Sequence, residues 1–326
     1  MDSKKLKKML MRCPTLLRHL QYWHDVVTRP NRIMQRKSYG NNNTGKTIFV
    51  IRPNAEDGIQ GLMSLFIQTL RWVEYAQKNN YIPYVDFKNY NTQYYDGIHN
   101  AWELFFKQPS TVSEEEVYSS HRVILSGTSL RKTVDYKSLR KEIFFDNNEA
   151  MKYHKLVSES IAFSDDVIRV VDQEASRLDV ENSIGLYLRG TDYIALKPAG
   201  EYVQPNIEQV VVVIDKFLSK YFGSNLFLVT EDGNYYRILK ERYGDLITLV
   251  SYDSFITNYD GKDYLSKSDV LNNDKKKRGI DYLAKMILLS KCKYLISSIT
   301  MGSIAAYVLN GGKYEDSYIF DLGYYS

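Results

Sequence analysis

Three short stretches of the sequence place charge, hydroxyls and glycine directly after apolar runs. The first is Leu188-Arg189-Gly190-Thr191-Asp192-Tyr193, following the run Ser183 to Leu188. An arginine there presents a planar fork of N–H donors that matches a diphosphate, each charge-assisted bond being worth about 1.5 to 3 kcal/mol. Asp192 can orient that guanidinium, and Gly190 lets backbone approach a ligand closely; the structural alternative is a strand-end ion pair. The second stretch, Thr230-Glu231-Asp232-Gly233, brings carboxylates and a hydroxyl that can accept from ribose hydroxyls or base N–H groups, or can merely cap the next helix. The third, Ser297-Ser298-Ile299-Thr300-Met301-Gly302-Ser303, opens a helix, where hydroxyls and amides suit a phosphate. Capping alone accounts for one of its four hydroxyls. Glu201, on the same loop as Asp192 and before Pro205, is the candidate general base, with an exposed loop carboxylate as the alternative.

These stretches need strands behind them. Thr47–Arg52 (TIFVIR), stopped by Pro53, and Tyr81–Phe87 (YIPYVDF) read as strands flanking a helix over about 58–78, with Asn100–Phe106 as a further short helix. Gly58 and Gly61 in Asn54–Leu62 make a tight turn between strand and helix. Residues 110–180 read as predominantly helical. From Ser183 onward strands (183–188, 225–229, 246–250, 294–296) alternate with helices (205–222, 235–243, 280–290, 303–309), the signature of a parallel sheet covered on both faces. The expected organisation is a basic helical leader and linker over 1–46, an α/β lobe over 47–180 and a C-terminal Rossmann-like lobe over 181–326, with a cleft between the lobes.

Composition narrows the field. The chain has 326 residues, 44% hydrophobic and 25% charged, which favours two globular domains over disorder or a coiled coil. No apolar run reaches the ~18 residues of a membrane-spanning helix. Two cysteines, Cys13 and Cys292, and no cleavable signal pattern are expected of a cytoplasmic protein. Residues 1–37 hold ten Lys/Arg against Asp2 and Asp25, a local +8, while the remainder, 33 basic against 37 acidic, stands at −4. The acidic body argues against nucleic acid as a partner. The leader, with Leu6, Leu10, Leu17, Leu20 and Trp23, has two readings: a helix resting on the inner face of an anionic membrane, or one packed on the body by its apolar stripe.

Three familiar chemistries are excluded. Gly40–Thr47 (GNNNTGKT) matches the phosphate-loop pattern, but that chemistry needs a strand before the loop and a helix after it. Here a basic, non-periodic stretch precedes and a β-branched run follows, so the segment reads as a linker. The five histidines, His19, His24, His99, His121 and His154, all precede residue 155. Ser-His-Asp catalysis and a His-rich zinc site in the C-terminal half are therefore out.

Arg189 with Asp192, then Glu231-Asp232, then Leu289–Ile296 with its hydroxyl-rich turn and Ala305-Ala306-Tyr307, resemble the GDP-fucose fucosyltransferase superfamily in ordered pieces over about 47–310. Tyr84–Phe87 and Asn100–Glu103 are similar to its α-1,6 branch, which includes the bacterial nodulation enzyme. The resemblance implies a GT-B-like fold whose C-terminal lobe binds the nucleotide. It also implies inverting transfer of fucose from GDP-fucose to a glycan such as a surface polysaccharide, with no cofactor and no metal. Arg189 then stabilises the leaving diphosphate, with Asp192, Glu231, Asp232, Ser298, Thr300 and Ser303 at family positions and Asp86 and Trp102 on the acceptor side. Tyr187 and Lys285 depart from the family's histidine and aspartate, which leaves open a glycosyltransferase with another nucleotide sugar. A non-catalytic carbohydrate-binding protein, consistent with 28 tyrosines, is the reading from a different class.

Overall fold

Short β-branched and aromatic runs bounded by Pro, Gly and Asn build two separate sheets. The computed structural model of the protein describes residues 14–53, 58, 60–90, 92–127, 142–262, 264–265 and 274–326. Residues 1–13 of the basic leader, Cys13 among them, and 54–57 and 59 of the glycine turn lie outside the described residues.

The first unit is drawn from Met1–Gly58, Gln68–Thr92 and Gln108–Lys137. In chain order it holds α1 (Pro14–Thr28), β1 (Gln35–Lys37), β2 (Ile48–Ile51), most of α2 (Leu62–Lys78), β3 (Ile82–Val85), α3 (Glu114–Val117) and β4 (Val123–Leu125). The sheet runs β1-β4-β2-β3, with β2 parallel to both neighbours and β1 an antiparallel edge. Ile48 and Val50 bury one face against Tyr84, Val117 and Val123. Phe49, pointing the other way, packs its ring 5.6 Å from Trp72 and 5.4 Å from Tyr75 of α2. Gly40–Thr47 joins β1 to β2 through a turn with Asn43 at φ 54°, and no helix opens at Lys46-Thr47, as the rejected phosphate loop would require.

The second unit, from Ile59–Ile67, Gln93–Lys107 and Ser138–Ser326, carries the longer parallel sheet. Its elements are the opening turns of α2, then α4 (Asn147–Ser160), α5 (Asp165–Ala175), β5 (Ile184–Leu188), α6 (Thr191–Leu196), α7 (Ile207–Lys220), β6 (Leu226–Thr230) and α8 (Gly233–Tyr243). They continue with β7 (Ile247–Thr248), α9 (Lys275–Ser290), β8 (Tyr294–Ser298), α10 (Met301–Asn310) and β9 (Asp316–Phe320). The order β7-β6-β5-β8-β9 is parallel throughout, and every residue of β5, β6 and β8 is buried. Ile184, Leu186 and Leu188 pack with Val210, Ile214 and Phe217 of α7. At roughly 25 cal/mol per Å² of apolar surface removed from water, this two-sided burial is what holds the strands in place.

Several expectations are corrected. Asn100–Phe106 is a string of turns rather than a helix. Asn100 Oδ1 accepts the Trp102 N–H at 3.2 Å, and Trp102, Phe105 and Phe106 are all buried, leaving Glu103 as the segment's exposed side chain. The stretch 110–180 contains β4, whose three residues are too few to show a period. Helix α9 starts at Lys275, five residues before the expected Ile280, because Asp274 caps it by accepting the Lys277 N–H at 2.9 Å. Of the expected leader stripe, Leu20 and Trp23 are exposed, as is Val27, while Leu6 and Leu10 lie outside the described residues.

Candidate active site

In the longer sheet the strand order reverses at β5, with β6 on one side and β8 on the other. The crevice outside the carboxyl ends of two such strands is where open α/β sheets bind ligands. Arg189 is the first residue after β5, and Ser298 ends β8 with Ile299–Ser303 following it. Arg189 Nη2 donates to both oxygens of Asp192, at 3.1 and 3.2 Å. Its Nε lies 3.3 Å from Glu231 Oε1 without hydrogen-bond alignment. Its Cζ stacks 4.7 Å above the Tyr193 ring. Burial works against the Arg189 charge, but Glu231 and Asp192 outweigh it and hold the group firmly protonated. Among the described residues Nη1 has no hydrogen-bond partner, and the side chain is 26% exposed, so the fork is fixed on one edge and open on the other.

The acidic residues after β6 brace this arginine's turn. Glu231 Oε1 accepts from Gly190 N at 3.2 Å and Thr191 Oγ1 at 3.0 Å, and Asp232 Oδ2 accepts from Thr191 N at 2.9 Å. Thr191 has φ 41°, a costly conformation for a β-branched residue that these bonds hold in place. A Cβ on Gly190 would collide with the Asp232 carboxylate, so the close approach needs glycine. Asp232 also caps α8, accepting from Asn234 N at 2.8 Å and Tyr235 N at 3.1 Å, while Thr230 Oγ1 accepts from Asp232 N at 3.1 Å. Asp192, nearly fully buried, accepts from Leu265 N at 3.2 Å.

At the β8 end, all four hydroxyls have partners within the protein. Thr300 and Ser303 form a reciprocal capping box for α10, Ser303 Oγ donates to Ser298 O at 2.6 Å, Ser298 Oγ bonds Gln204 Oε1, and Ser297 Oγ donates to Ser298 O at 3.3 Å. The expectation that capping could absorb only one hydroxyl is thereby corrected. What the turn offers a ligand is the N-terminus of α10. Gly302 in its first turn covers the hydroxyl pair Tyr187–Tyr282, 2.9 Å apart, and a Cβ there would collide with both. Burial raises the pKa of both phenols.

No protein-family pattern and no curated protein matches the sequence. Solved structures do resemble it. NodZ alpha-1,6-fucosyltransferase soaked with GDP-fucose is 15% identical, covering 81% of this chain and 93% of its own, with a TM-score of 0.48. Fucosyltransferase NodZ from Bradyrhizobium is 15% identical over 80% of this chain and 92% of its own, at 0.47. A variant of Arabidopsis thaliana FUT1 in complex with GDP is 11% identical over 97% and 77%, at 0.44. The chain is similar to fucosyltransferases.

The remaining expected residues fall in different surroundings. Glu201 sits on the loop before α7, with its carbonyl accepting Tyr325 N at 2.9 Å. Its charge reaches the Tyr193 hydroxyl, whose pKa is pushed up to about 12, first by burial and against the pull of Arg189. Gly58 takes φ 69°, and Gly61 has open space where a Cβ would stand. Asp86, in the first unit, is buried and accepts from Lys88 N at 3.0 Å, Asn89 N at 2.9 Å and the Tyr118 hydroxyl. Trp102 groups with the second unit, stacked 4.3 Å from Phe106 with Nε1 donating to Lys107 O at 3.1 Å. Both side chains are buried and braced within their own units. Lys285 forms a buried ion pair with Asp253, whose pKa is raised, chiefly by burial.

Three neighbours of the site escaped the sequence reading. Tyr282 completes the hydroxyl pair with Tyr187. Tyr94 is buried, accepts Leu62 N at 3.1 Å, and feels the charges of both Arg278 and Arg189. Arg278 lies with Cζ 5.9 Å from the Tyr94 ring and Nη2 3.3 Å from Gln93 Oε1. The available signal was Lys275-Lys276-Lys277-Arg278, four cations opening a helix where the dipole disfavours them.

Proposed function

We propose that this chain is a glycosyltransferase that takes its sugar from GDP-fucose and transfers fucose, with inversion and without a metal, to a glycan such as a surface polysaccharide. The observation that carries the reading is Arg189, a protonated guanidinium held by carboxylates on one edge, open on the other, at the point where the strand order reverses. As a glycosidic bond to a diphosphate breaks, negative charge grows on the departing oxygen. A preorganised guanidinium and the N-terminal amides of α10 lower that cost without moving. Asp192 keeps the fork in its plane, and Tyr193 supports it from below. Glu201 would take the acceptor hydroxyl's proton as the new bond forms. A guanine nucleotide is the donor class that the resemblance of the Arg189, Glu231-Asp232 and Ser298–Ser303 stretches to GDP-fucose fucosyltransferases implies.

A second reading, another nucleotide base, is favoured by Tyr187 and Lys285, both engaged with partners inside the protein. Calorimetry with GDP, UDP, ADP and CMP, with and without magnesium, separates the two. Metal-free selectivity for GDP is expected; tight binding of another nucleotide replaces the donor, and no nucleotide binding overturns the proposal. Hydrolysis of GDP-fucose in the absence of acceptor distinguishes an enzyme from a binder. Replacing Glu201 by Gln is expected to lower turnover more than donor affinity, and an unchanged rate removes it from the mechanism.

A further inference from the structure

Helix α1 presents an apolar stripe to solvent. Leu20 is 48% exposed, Trp23 63% and Val27 79%, and at 100° per residue the three fall within an arc of about 60°. A helix that stabilised the fold would turn such a face inward, since each large side chain left in water forgoes its burial energy. The segment that carries the stripe is net positive. Residues 14–37 carry Arg18, Arg29, Arg32, Arg36 and Lys37 against Asp25 alone, a net +4. Residues 1–13, outside the described structure, add Lys4, Lys5, Lys7, Lys8 and Arg12 against Asp2. Arg36 and Lys37 stand exposed in the edge strand β1. Among the described residues no helix is long and apolar enough to cross a membrane.

We infer that α1 is an interfacial helix that docks this chain on an anionic lipid surface, lying in the plane of the headgroups with Leu20, Trp23 and Val27 inserted. Exposed apolar side chains with tryptophan among them, set in a cationic segment, match a bilayer with a negative surface potential. A purely apolar partner would leave the cations unanswered, and a second copy of this chain would bring like charge against like. The inference is independent of the proposed reaction.

The test uses the full chain and vesicles of phosphatidylcholine, alone or mixed in equal parts with phosphatidylglycerol. Of the three tryptophans, Trp72 and Trp102 are fully buried, so a change in emission on adding vesicles reports Trp23. The expected result is co-sedimentation with the mixed vesicles, a blue shift of the emission, and affinity at least about tenfold weaker on neutral vesicles or in ~1 M salt. Leu20→Ser, Trp23→Ser and Val27→Ser together are expected to abolish sedimentation, and Arg36→Gln with Lys37→Gln to weaken it, with nucleotide binding unchanged in each. No binding to mixed vesicles overturns the inference. So does equal binding to both vesicle types, or a dimer in which Trp23 emission is already blue-shifted without lipid.

Discussion

Arg52 and Arg189 hold the same topological place in two different sheets. Each is the first residue after the strand at which the order reverses, β2 in the shorter sheet and β5 in the longer. Arg52 is 1% exposed and spends its donors on neutral oxygens: Ser126 O from Nε at 2.6 Å, and Asn31 O and Ile33 O from Nη2 at 3.0 and 3.3 Å. Its face lies on the Tyr90 ring at 5.2 Å, and burial lowers its pKa. Arg189 is bound by carboxylates on one side and keeps an exposed edge. A strand-end arginine is thus a plug when carbonyls close round it, and a ligand hand when its anchors are side chains that leave part of the fork to solvent.

The largest effect is expected from Arg52→Met. The buried Ser126 carbonyl and the partly buried Asn31 and Ile33 carbonyls lose their donor, the buried one at about 1 to 3 kcal/mol, so urea unfolding is expected to show a loss of about 3 kcal/mol. A loss below about 1 kcal/mol would mean the plug is not structural. Arg189→Ala is next: kcat is expected to fall by roughly 10² to 10³, while the unfolding midpoint moves less than for Arg52→Met. Wild-type turnover, or a greater stability loss than at Arg52, would erase the contrast. Arg189→Lys keeps the charge and loses the fork, so partial activity is expected.

The smaller effects concern the hydroxyl pair near the open arginine and a carboxylate elsewhere in the second unit. Gly302→Ala drives a Cβ into the Tyr187 and Tyr282 hydroxyls, at a cost of roughly 1 to 3 kcal/mol in thermal or urea unfolding. Adding Tyr282→Phe is expected to return part of it, and strict additivity would show the hydroxyl pair is not the obstacle. Glu174 gives the smallest. Burial pulls its pKa up, but hydrogen bonds from Ser251 and Arg177 outweigh that and hold it below the usual value. A depressed carboxylate contributes stability above its unfolded pKa of about 4.3, and loses it as pH falls through the folded value. Glu174→Gln is therefore expected to cost about 1 to 2 kcal/mol near pH 7, with the gap to wild type shrinking as pH falls below the unfolded pKa and through the depressed folded one. A gap independent of pH would refute the assignment.

Much of the longer sheet was legible because its strands are buried on both faces and bounded by turn residues, which makes runs such as Leu226–Val229 and Tyr294–Ile296 stand out. The weak elements were those lacking a period. Val123–Leu125 is too short, Asp316–Phe320 is a half-exposed edge, and Asn100–Phe106 is buried at every residue except Glu103. In the site, Arg189, Asp192, Glu231 and Asp232 were found as strand-end residues. The roles of the last two as braces of a strained Thr191 were invisible, since a hydrogen bond across some forty residues leaves no local pattern.

Sequence alone determined the α/β class, the alternation that makes a parallel sheet, the strand-end arginine and the charge of the leader. These depend on local patterning of apolar, charged and turn residues. Tertiary structure alone decided that β5 is the strand of reversal, that Asp86 and Trp102 are interior, that four hydroxyls are spent on neighbouring backbone groups and on Gln204, and that Leu20, Trp23 and Val27 of α1 face water. Each of those depends on which distant segment arrives to satisfy a polar group or cover an apolar one, and that is settled only when the whole chain packs.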